Sequence, residues 1–276
     1  MRKLGLILCF FVVYGFSVSA QQSVKIWDEC PNVTHKHKKS TLTVFLPETR
    51  DSSGVSVIIC PGGSYYWMAR NIEGYAVAKY LNQNGIAAFV LEYRTARKGN
   101  HHPAMIDDLE RAMHIVKSHG AEWNIAPEKV GVMGFSAGGH LAGTLAIHHT
   151  KPEYKPYFVA MIYPVVTMTN EETVHAPSRK NLLGENFSPE LAEMLSLEKN
   201  IPADMPPVFL LHCTNDKTVD YRNTLDFKQA LTEHHVSHQS VWFSQCRKGG
   251  HGFGIQPNRK ETSWMRGFIT WVLHID

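Results

Sequence analysis

The sequence predicts an α/β fold whose central sheet is mostly parallel and covered by helices on both faces. Segments typical of strands alternate with segments typical of helices along most of the 276 residues, and this alternation is the pattern of a parallel sheet. Several strand segments, such as residues 55–60, are nearly continuous apolar runs, which indicates burial on both faces of the sheet. Because the length suits one domain with a sizeable core, we expect residues 21–276 to form a single unit.

The strands and helices are assigned in order from these patterns. The predicted strands are residues 24–28, 41–46, 55–60, 86–93, 129–133, 157–166, 207–213 and 239–245. The predicted helices are residues 73–84, 103–119, 139–149, 222–235 and 262–273. Residues 167–205, after the sixth strand, have weaker periodicity and short helical pieces such as 189–195. We interpret this stretch as a small insertion, in the place where a lid is often found.

Each helix has a signal of its own. The first is followed by Gly85, a residue typical of the position just after a helix. The second is amphipathic, and its apolar face consists of Ile106, Leu109, Met113 and Val116. The third is rich in small and apolar residues. The packing residues expected of the last two are Leu225, Phe227, Ala230 and Leu231, and then Trp264, Phe268 and Trp271.

The composition is that of an ordinary globular protein. Hydrophobic residues make up 43% of the chain and charged residues 19%, which argues against disorder. The formal net charge is +3, and the charges are dispersed. We therefore expect neither a nucleic-acid partner nor attachment to a membrane surface.

The first twenty residues have the pattern of a signal peptide. Arg2 and Lys3 precede an apolar run at residues 4–16, and small residues follow at 18–20. The apolar run is shorter than the roughly 20 residues that a membrane-spanning helix needs. We therefore expect cleavage after Ala20 and a secreted or periplasmic protein.

Export would permit disulfide bonds among the remaining cysteines. Cys60 and Cys213 end apolar strand segments, where a free thiol also acts as a small hydrophobic group. Cys213–Cys246 is the pairing to test first, because both residues precede candidate catalytic loops on neighbouring strands. His35 and His37 have no flanking cysteine or carboxylate, so a solvated turn is favoured there over a metal site. No metal or cofactor is expected.

The segment GFSAG at residues 134–138 fits G-x-S-x-G and lies between a predicted strand and a predicted helix. That context is typical of a nucleophile elbow, a tight turn that lifts a serine hydroxyl above the sheet. Ser136 is then the candidate nucleophile, and the N–H of Ala137 is a candidate oxyanion donor. The alternative is a glycine-rich turn that contains a serine by chance.

The segment PGGSY at residues 61–65 directly follows the buried strand 55–60. A second oxyanion donor is expected from a loop of this kind, and either Gly63 or Ser64 would supply it. A plain turn is the alternative. The following aromatic residues are candidates for stacking on a substrate, with a core or rim role as the alternative; they are Tyr65, Tyr66 and Trp67.

A serine hydroxyl needs a base to take its proton, and the base needs a carboxylate to fix its tautomer. Asp216 and His251 each follow the end of a predicted strand, as Ser136 does, where open α/β sheets bind their ligands. His251 also lies in a glycine-rich loop, GGHGFG at 249–254. Asp220 is a competing carboxylate, although its position also suits the start of the next helix.

With these motifs the chain resembles the α/β-hydrolase superfamily, and within it the exported bacterial carbohydrate esterases of the acetylxylan esterase type, related to bifunctional acetyl and feruloyl esterases. The resemblance covers nearly the whole mature chain. Beside the motifs above, it rests on Tyr93-Arg94, Pro103-Ala104, Asp107, Arg111, His140-Leu141-Ala142, residues 181–184 (NLLG) and Pro206-Pro207.

The resemblance implies that Ser136 is the nucleophile, His251 the base and Asp216 its partner, in a metal-independent reaction through an acyl-enzyme. Two positions depart from the pattern. Asp220 stands where relatives usually have proline, and Pro61 stands where lipase-like relatives have histidine. The second departure argues against a lipase.

The motifs thus predict a serine carboxylesterase, and the resemblance implies that it removes O-acetyl groups from plant polysaccharide or oligosaccharide such as xylan. A feruloyl esterase is an alternative. A peptidase of the prolyl-oligopeptidase type is a second one, although the chain has no room for the accessory propeller that such enzymes usually carry. An inactive carbohydrate-binding relative is a third, and the complete set of candidate catalytic residues argues against it.

Overall fold

An eight-stranded sheet forms the centre of the structure, a computed structural model that describes residues 22–28, 40–255 and 263–275. The predicted signal peptide and the loop with His35 and His37 lie outside the described residues. The strands are β1 (Gln22–Lys25), β2 (Thr41–Phe45), β3 (Ser56–Cys60), β4 (Ala87–Glu92), β5 (Val130–Phe135), β6 (Val159–Ile162), β7 (Val208–Cys213) and β8 (His238–Phe243). The helices are α1 (Ala76–Gln83), α2 (Ala104–Ser118), α3 (Ala137–His148), α4 (Ala176–Leu183), α5 (Pro189–Met194), α6 (Arg222–Glu233) and α7 (Trp264–Val272).

The strand order is β1-β2-β4-β3-β5-β6-β7-β8. β1 is antiparallel to β2 and β2 to β4, whereas every pairing from β4 to β8 is parallel. The predicted mostly parallel sheet is confirmed. Cys60 at the end of β3 lies opposite Gly134 on β5, and Cys213 at the end of β7 lies opposite Phe243 on β8. The loops that follow these four strands therefore meet at one edge of the sheet.

Helices cover both faces of the sheet. Successive side chains of a strand point to opposite faces, and accordingly Ile58 and Ile59 of β3 belong to two different core clusters. The cluster around Ile59 includes residues of α1 and α7, whereas the cluster around Ile58 includes residues of α2, α3 and α6. As predicted, Trp264 and Phe268 are buried, and Trp271 packs on Phe158 with ring centroids 5.7 Å apart. Full burial of one such side chain contributes about 1.5–3 kcal/mol to folding.

The first predicted strand, residues 24–28, lies at Gln22–Lys25, and two further predictions about these elements are wrong. The sixth strand ends at Ile162 rather than at residue 166, because Tyr163 has a positive φ of 39° and Pro164 has no N–H for the ladder. Leu225 does not pack inward, since it is 40% exposed. It lies on the side of α6 away from Phe227 and Leu231, and the buried polar residues Asn223 and Thr224 take its expected place.

The stretch 167–205 contains α4, α5 and a 3₁₀ turn at Leu197–Lys199. The Asn181 amide donates a hydrogen bond of 2.8 Å to the carbonyl oxygen of Ser64, and the His102 N–H donates one of 2.7 Å to Leu182. The first bond holds α4 against the loop that follows β3, and the second holds it against the segment between β4 and α2. Nowhere in the described ranges is a helix both long and apolar enough to cross a bilayer.

Candidate active site

Ser136 occupies the turn between β5 and α3. Its φ is +53°, in the left-handed region that is strained for residues other than glycine, and strain of this kind is typical of functional turns. The turn is possible because the residues two positions before and after the serine are glycines. A Cβ added to Gly134 would overlap the carbonyl of Gly138, and one added to Gly138 would overlap the carbonyl of Cys60. This crowding also places the turn directly against the end of β3.

The imidazole of His251 joins the two other predicted residues. Its Nε2 atom lies 2.9 Å from the Ser136 Oγ atom, and its Nδ1 atom lies 2.7 Å from the Asp216 Oδ2 atom. Because a carboxylate only accepts hydrogen bonds, the Nδ1–H group donates to Asp216. Nε2 is then free to accept the hydrogen bond of the Ser136 hydroxyl. The structure thus brings together the three side chains that the sequence singled out.

The Asp216 carboxylate is buried and accepts several hydrogen bonds. Its Oδ1 atom accepts the backbone N–H groups of Thr218 and Val219, and its Oδ2 atom accepts from His212 Nε2 at 3.0 Å as well as from His251. Burial by itself would raise the pKa of Asp216, but the hydrogen bonds from the two histidines outweigh it and hold the pKa well below its ordinary value. Asp216 therefore remains a carboxylate at neutral pH.

His212, on β7, is a residue of the site that the sequence analysis missed. It is fully buried, and its Nδ1 atom accepts the hydroxyl of Thr224 at 2.6 Å. With Nδ1 as acceptor, Nε2 carries the proton that it donates to Asp216. The available signal was a histidine in an otherwise apolar strand, four residues before the predicted carboxylate.

The loops after β7 and β8 are tied together at several points. A disulfide joins Cys213 and Cys246, so the pairing that was singled out for testing is present in the structure. The Asn215 side chain donates to the carbonyl of Cys246 and accepts its N–H, both at 2.9 Å. The N–H of Lys217 donates to Gly249 at 2.8 Å. These contacts fix the distance between Asp216 and His251.

The competing carboxylate is occupied elsewhere. Asp220 accepts the backbone N–H of Arg222 at 2.9 Å and pairs with its guanidinium group at 2.8 Å. It therefore lies at the start of α6, as the alternative interpretation proposed. It makes no contact with His251 among the described residues.

The loop after β3 lies beside the serine. A Cβ added to Gly62 would lie 2.9 Å from the Cβ atom of Ser136. The Gly62 N–H is taken by the carboxylate of Glu73 at 2.8 Å, whereas no described residue accepts the N–H of Gly63 or of Ala137. The N–H of Ser64 likewise has no acceptor among the described residues, so the structure leaves all three predicted oxyanion donors open. Whether Gly63 or Ser64 donates stays a prediction.

The three aromatic residues of this loop differ in exposure. Tyr65 is fully buried, and its hydroxyl donates to His140 Nδ1 at 2.8 Å. The prediction that Tyr65 stacks on a substrate is therefore wrong, because both faces of its ring lie in the core. Tyr66 and Trp67 are 48% and 55% exposed. These two remain available to contact a ligand.

His175, at the start of α4, is also close to the centre of the site. Burial, with a smaller contribution from the charge of the nearby His251, lowers its pKa to about 4. Its Nδ1 atom lies 2.8 Å from the Ser178 hydroxyl. The imidazole is therefore neutral at physiological pH. Within the described part of the chain, no three His, Cys, Asp or Glu side chains converge in a way that suits a metal ion.

Comparison with known proteins gives a matching family model, two relatives and a solved structure. The BD-FAE family model matches residues 42–231. An acetylxylan esterase of Xylanibacter ruminicola is 32% identical over 221 residues, which are 79% of this chain and 44% of that protein. Endo-1,4-beta-xylanase B of Butyrivibrio fibrisolvens is 32% identical over 76% of this chain and 34% of that protein. The chain thus spans less than half the length of both relatives.

A solved structure resembles nearly the whole chain. It is an acetyl ester-xyloside bifunctional hydrolase from Caldicellulosiruptor lactoaceticus, with a TM-score of 0.80 and 30% sequence identity. The match covers 91% of this chain and 95% of that one.

Proposed function

Because the chain belongs to the BD-FAE family of α/β-hydrolases, we propose that it is a serine carboxylesterase that removes O-acetyl groups from xylan or its oligosaccharides. The observation that carries the proposal is the chain of contacts from Ser136 through His251 to Asp216, with distances of 2.9 and 2.7 Å. The acetyl and xylan parts of the proposal are supported by the names of the relatives and of the structural neighbour.

The reaction follows from this geometry. The Ser136 Oγ atom attacks the ester carbonyl carbon while its proton passes to His251 Nε2, and the negative charge on the carbonyl oxygen is met by the N–H groups of Ala137 and of the loop after β3. The C–O bond to the sugar then breaks, and the imidazolium returns the proton to the departing hydroxyl. Water repeats the sequence on the acetyl-enzyme and releases acetate.

Asp216 supports both halves of this reaction. Its carboxylate keeps the proton of neutral His251 on Nδ1, and it stabilises the positive charge that the imidazole gains. The bonds from His212, Thr218 and Val219 hold the carboxylate in place while this happens.

We also propose that the enzyme acts outside the cytoplasm. The disulfide between Cys213 and Cys246 supports this, since such bonds persist in oxidising compartments and are rare in the cytosol.

The test is the hydrolysis of p-nitrophenyl acetate by the wild type, by Ser136→Ala and by the control Ser23→Ala, which alters an exposed position on the edge strand β1. We expect Ser136→Ala to lower kcat by about 10³-fold or more with an unchanged circular dichroism spectrum, and the control to keep full activity. Retained activity in Ser136→Ala would refute the assignment. Labelling by a fluorophosphonate should be lost in the same variant.

The substrate is tested separately. The wild type is assayed on acetylated xylan, on a feruloylated arabinoxylan oligosaccharide and on a proline dipeptide amide. We expect acetate release from the first to be fastest. A preference for the second would make the protein a feruloyl esterase, and a preference for the third would make it a peptidase.

A further inference from the structure

A buried carboxylate connects the two loops on either side of the candidate site. Glu73 belongs to a π-helical segment, Arg70–Tyr75, that precedes α1, and segments of this kind are frequent at functional sites. It is 2% exposed. Its Oε2 atom accepts the N–H of Gly62, in the loop after β3, and its Oε1 atom accepts the hydroxyl of Tyr163, both at 2.8 Å.

Tyr163 extends this connection to the loop that carries His251. The tyrosine is fully buried directly after β6, and its hydroxyl oxygen accepts the N–H of Gly254 at 3.0 Å. The same two regions also meet through the N–H of Ile255, which donates to the carbonyl of Ile72 at 3.0 Å. A continuous set of hydrogen bonds therefore runs from Gly62 through Glu73 and Tyr163 to Gly254.

The donors in this set suit an ionised Glu73. The N–H groups of Gly62 and Gly254 only donate, so the Tyr163 oxygen accepts from Gly254 and its hydrogen points to Glu73. Both carboxyl oxygens of Glu73 then act as acceptors. Burial raises the pKa of Glu73 above its ordinary value, and the bonds from Tyr163 and Gly62 and the charge of His251 offset this rise only in part. A protonated His251 therefore favours the ionised carboxylate.

His251 is close enough to Glu73 for the two charges to interact. Its ring lies against Tyr163, with centroids 4.7 Å apart. The titratable and polar groups around His251 come from five elements. They are Asp216 after β7, Ser136 in the turn after β5, Tyr163 after β6, His175 at the start of α4, and Glu73. Of these, Asp216 and Glu73 are the carboxylates, and of the two only Asp216 bonds directly to the imidazole.

We propose that Glu73 is a positioning residue, a proposal that rests on the proposed esterase function. Glu73 fixes the loop after β3 relative to the loop that carries His251. Its charge also stabilises the imidazolium that forms during catalysis. An imidazolium with two nearby carboxylates is more stable than one with a single carboxylate. A single buried residue thus acts both on the loop that supplies an oxyanion donor and on the catalytic base, His251.

The experiment compares Glu73→Gln, Glu73→Asp and the wild type on p-nitrophenyl acetate between pH 4 and 9. Glu73→Gln keeps the shape and removes the charge. We expect its kcat to fall about tenfold and the acidic limb of its kcat/KM profile to move to lower pH by about half a unit to one unit, because the imidazolium loses a stabilising charge. Glu73→Asp keeps the charge but is too short for both bonds. We expect reduced kcat with the limb where the wild type has it.

The matched control is Glu110→Gln. Glu110 is also a buried glutamate, and its carboxylate accepts two hydrogen bonds, from the N–H and the hydroxyl of Thr150. It lies on α2 and, within the ranges that the structure describes, bonds to neither of the loops that Glu73 connects. Both kcat and the pH profile should remain those of the wild type, even if its Tm falls.

A folded Glu73→Gln protein with the kcat and acidic limb of the wild type would overturn the proposal. If Glu73→Asp shifted the limb as far as Glu73→Gln, the role of the charge would be refuted. The rate of fluorophosphonate labelling of Ser136 against pH gives the same comparison without an ester substrate. If the wild type reacts with the fluorophosphonate but does not hydrolyse acetate esters, the proposed function is refuted. The pH dependence of labelling in the Glu73 variants then decides this inference by itself.

Discussion

The disulfide between Cys213 and Cys246 allows a stability change to be worked out in advance. The double variant Cys213→Ala/Cys246→Ala opens a loop with a sequence separation of 33. In the chain-entropy model, closing such a loop removes about 12.5 cal/mol/K from the unfolded chain, which is about 3.7 kcal/mol at 25 °C. Both residues are buried at the site, so the loss of sulfur packing adds to this cost.

The change in free energy converts into a shift of Tm. Unfolding entropy is about 2.1 cal/mol/K per residue, or about 0.5 kcal/mol/K for a folded unit of roughly 240 residues, so 3.7 kcal/mol corresponds to about 7 °C. We expect the double variant to unfold about 7 °C below the wild type in differential scanning calorimetry. Reductant should lower the Tm of the wild type toward that of the variant and leave the variant unchanged.

Activity at 25 °C should change much less than stability. The two bonds between Asn215 and Cys246, and the one from Lys217 to Gly249, still hold the loops together in the variant.

Cys60→Ala provides the control for the disulfide. Cys60 is a buried free cysteine, and burial raises the pKa of its thiol. This variant should lose some stability from the cavity it creates, and its Tm should still fall on reduction. Equal Tm values for the wild type and the double variant, or an intact mass that does not rise by about two daltons on reduction, would refute the reasoning.

Two further predictions concern the turn and the rim of the site. Gly138→Ala should abolish activity and lower the yield of folded protein, because its Cβ would overlap the carbonyl of Cys60. Gly267→Ala on α7 is the control, because nothing lies within 4 Å of the added Cβ. This variant should raise the free energy of unfolding in urea by about 0.5–1 kcal/mol. Trp67→Ala removes a side chain that is 55% exposed, so we expect KM for acetylated xylo-oligosaccharide to rise about threefold to tenfold with unchanged kinetics on p-nitrophenyl acetate. Equal KM values for both proteins would exclude Trp67 from substrate binding.

The sequence determined the sheet and the three residues that meet at its edge. Apolar runs and helical spacing are local properties of the chain, so the order of strands and helices follows from them. The positions of Ser136, Asp216 and His251 follow in turn, because each comes directly after a strand and parallel strands end at the same edge.

Adjacent residues of the same kind were not separable by sequence. Tyr65 and Tyr66 have identical side chains, and only the backbone decides which one is buried. Positive φ angles at Ser64 and Tyr65 turn the chain so that Tyr65 enters the core and Tyr66 faces solvent.

The buried polar partners were decided by tertiary structure alone. Glu73 meets Tyr163 across 90 positions of sequence, and His212 is useful to Asp216 only because Thr224 of α6 takes its other nitrogen. A local pattern can mark such a residue as unusual, as His212 is in an apolar strand, but its role depends on which distant segment supplies the matching donor or acceptor. Burial then makes the match obligatory, since an unpaired polar group in the core costs about 1–3 kcal/mol.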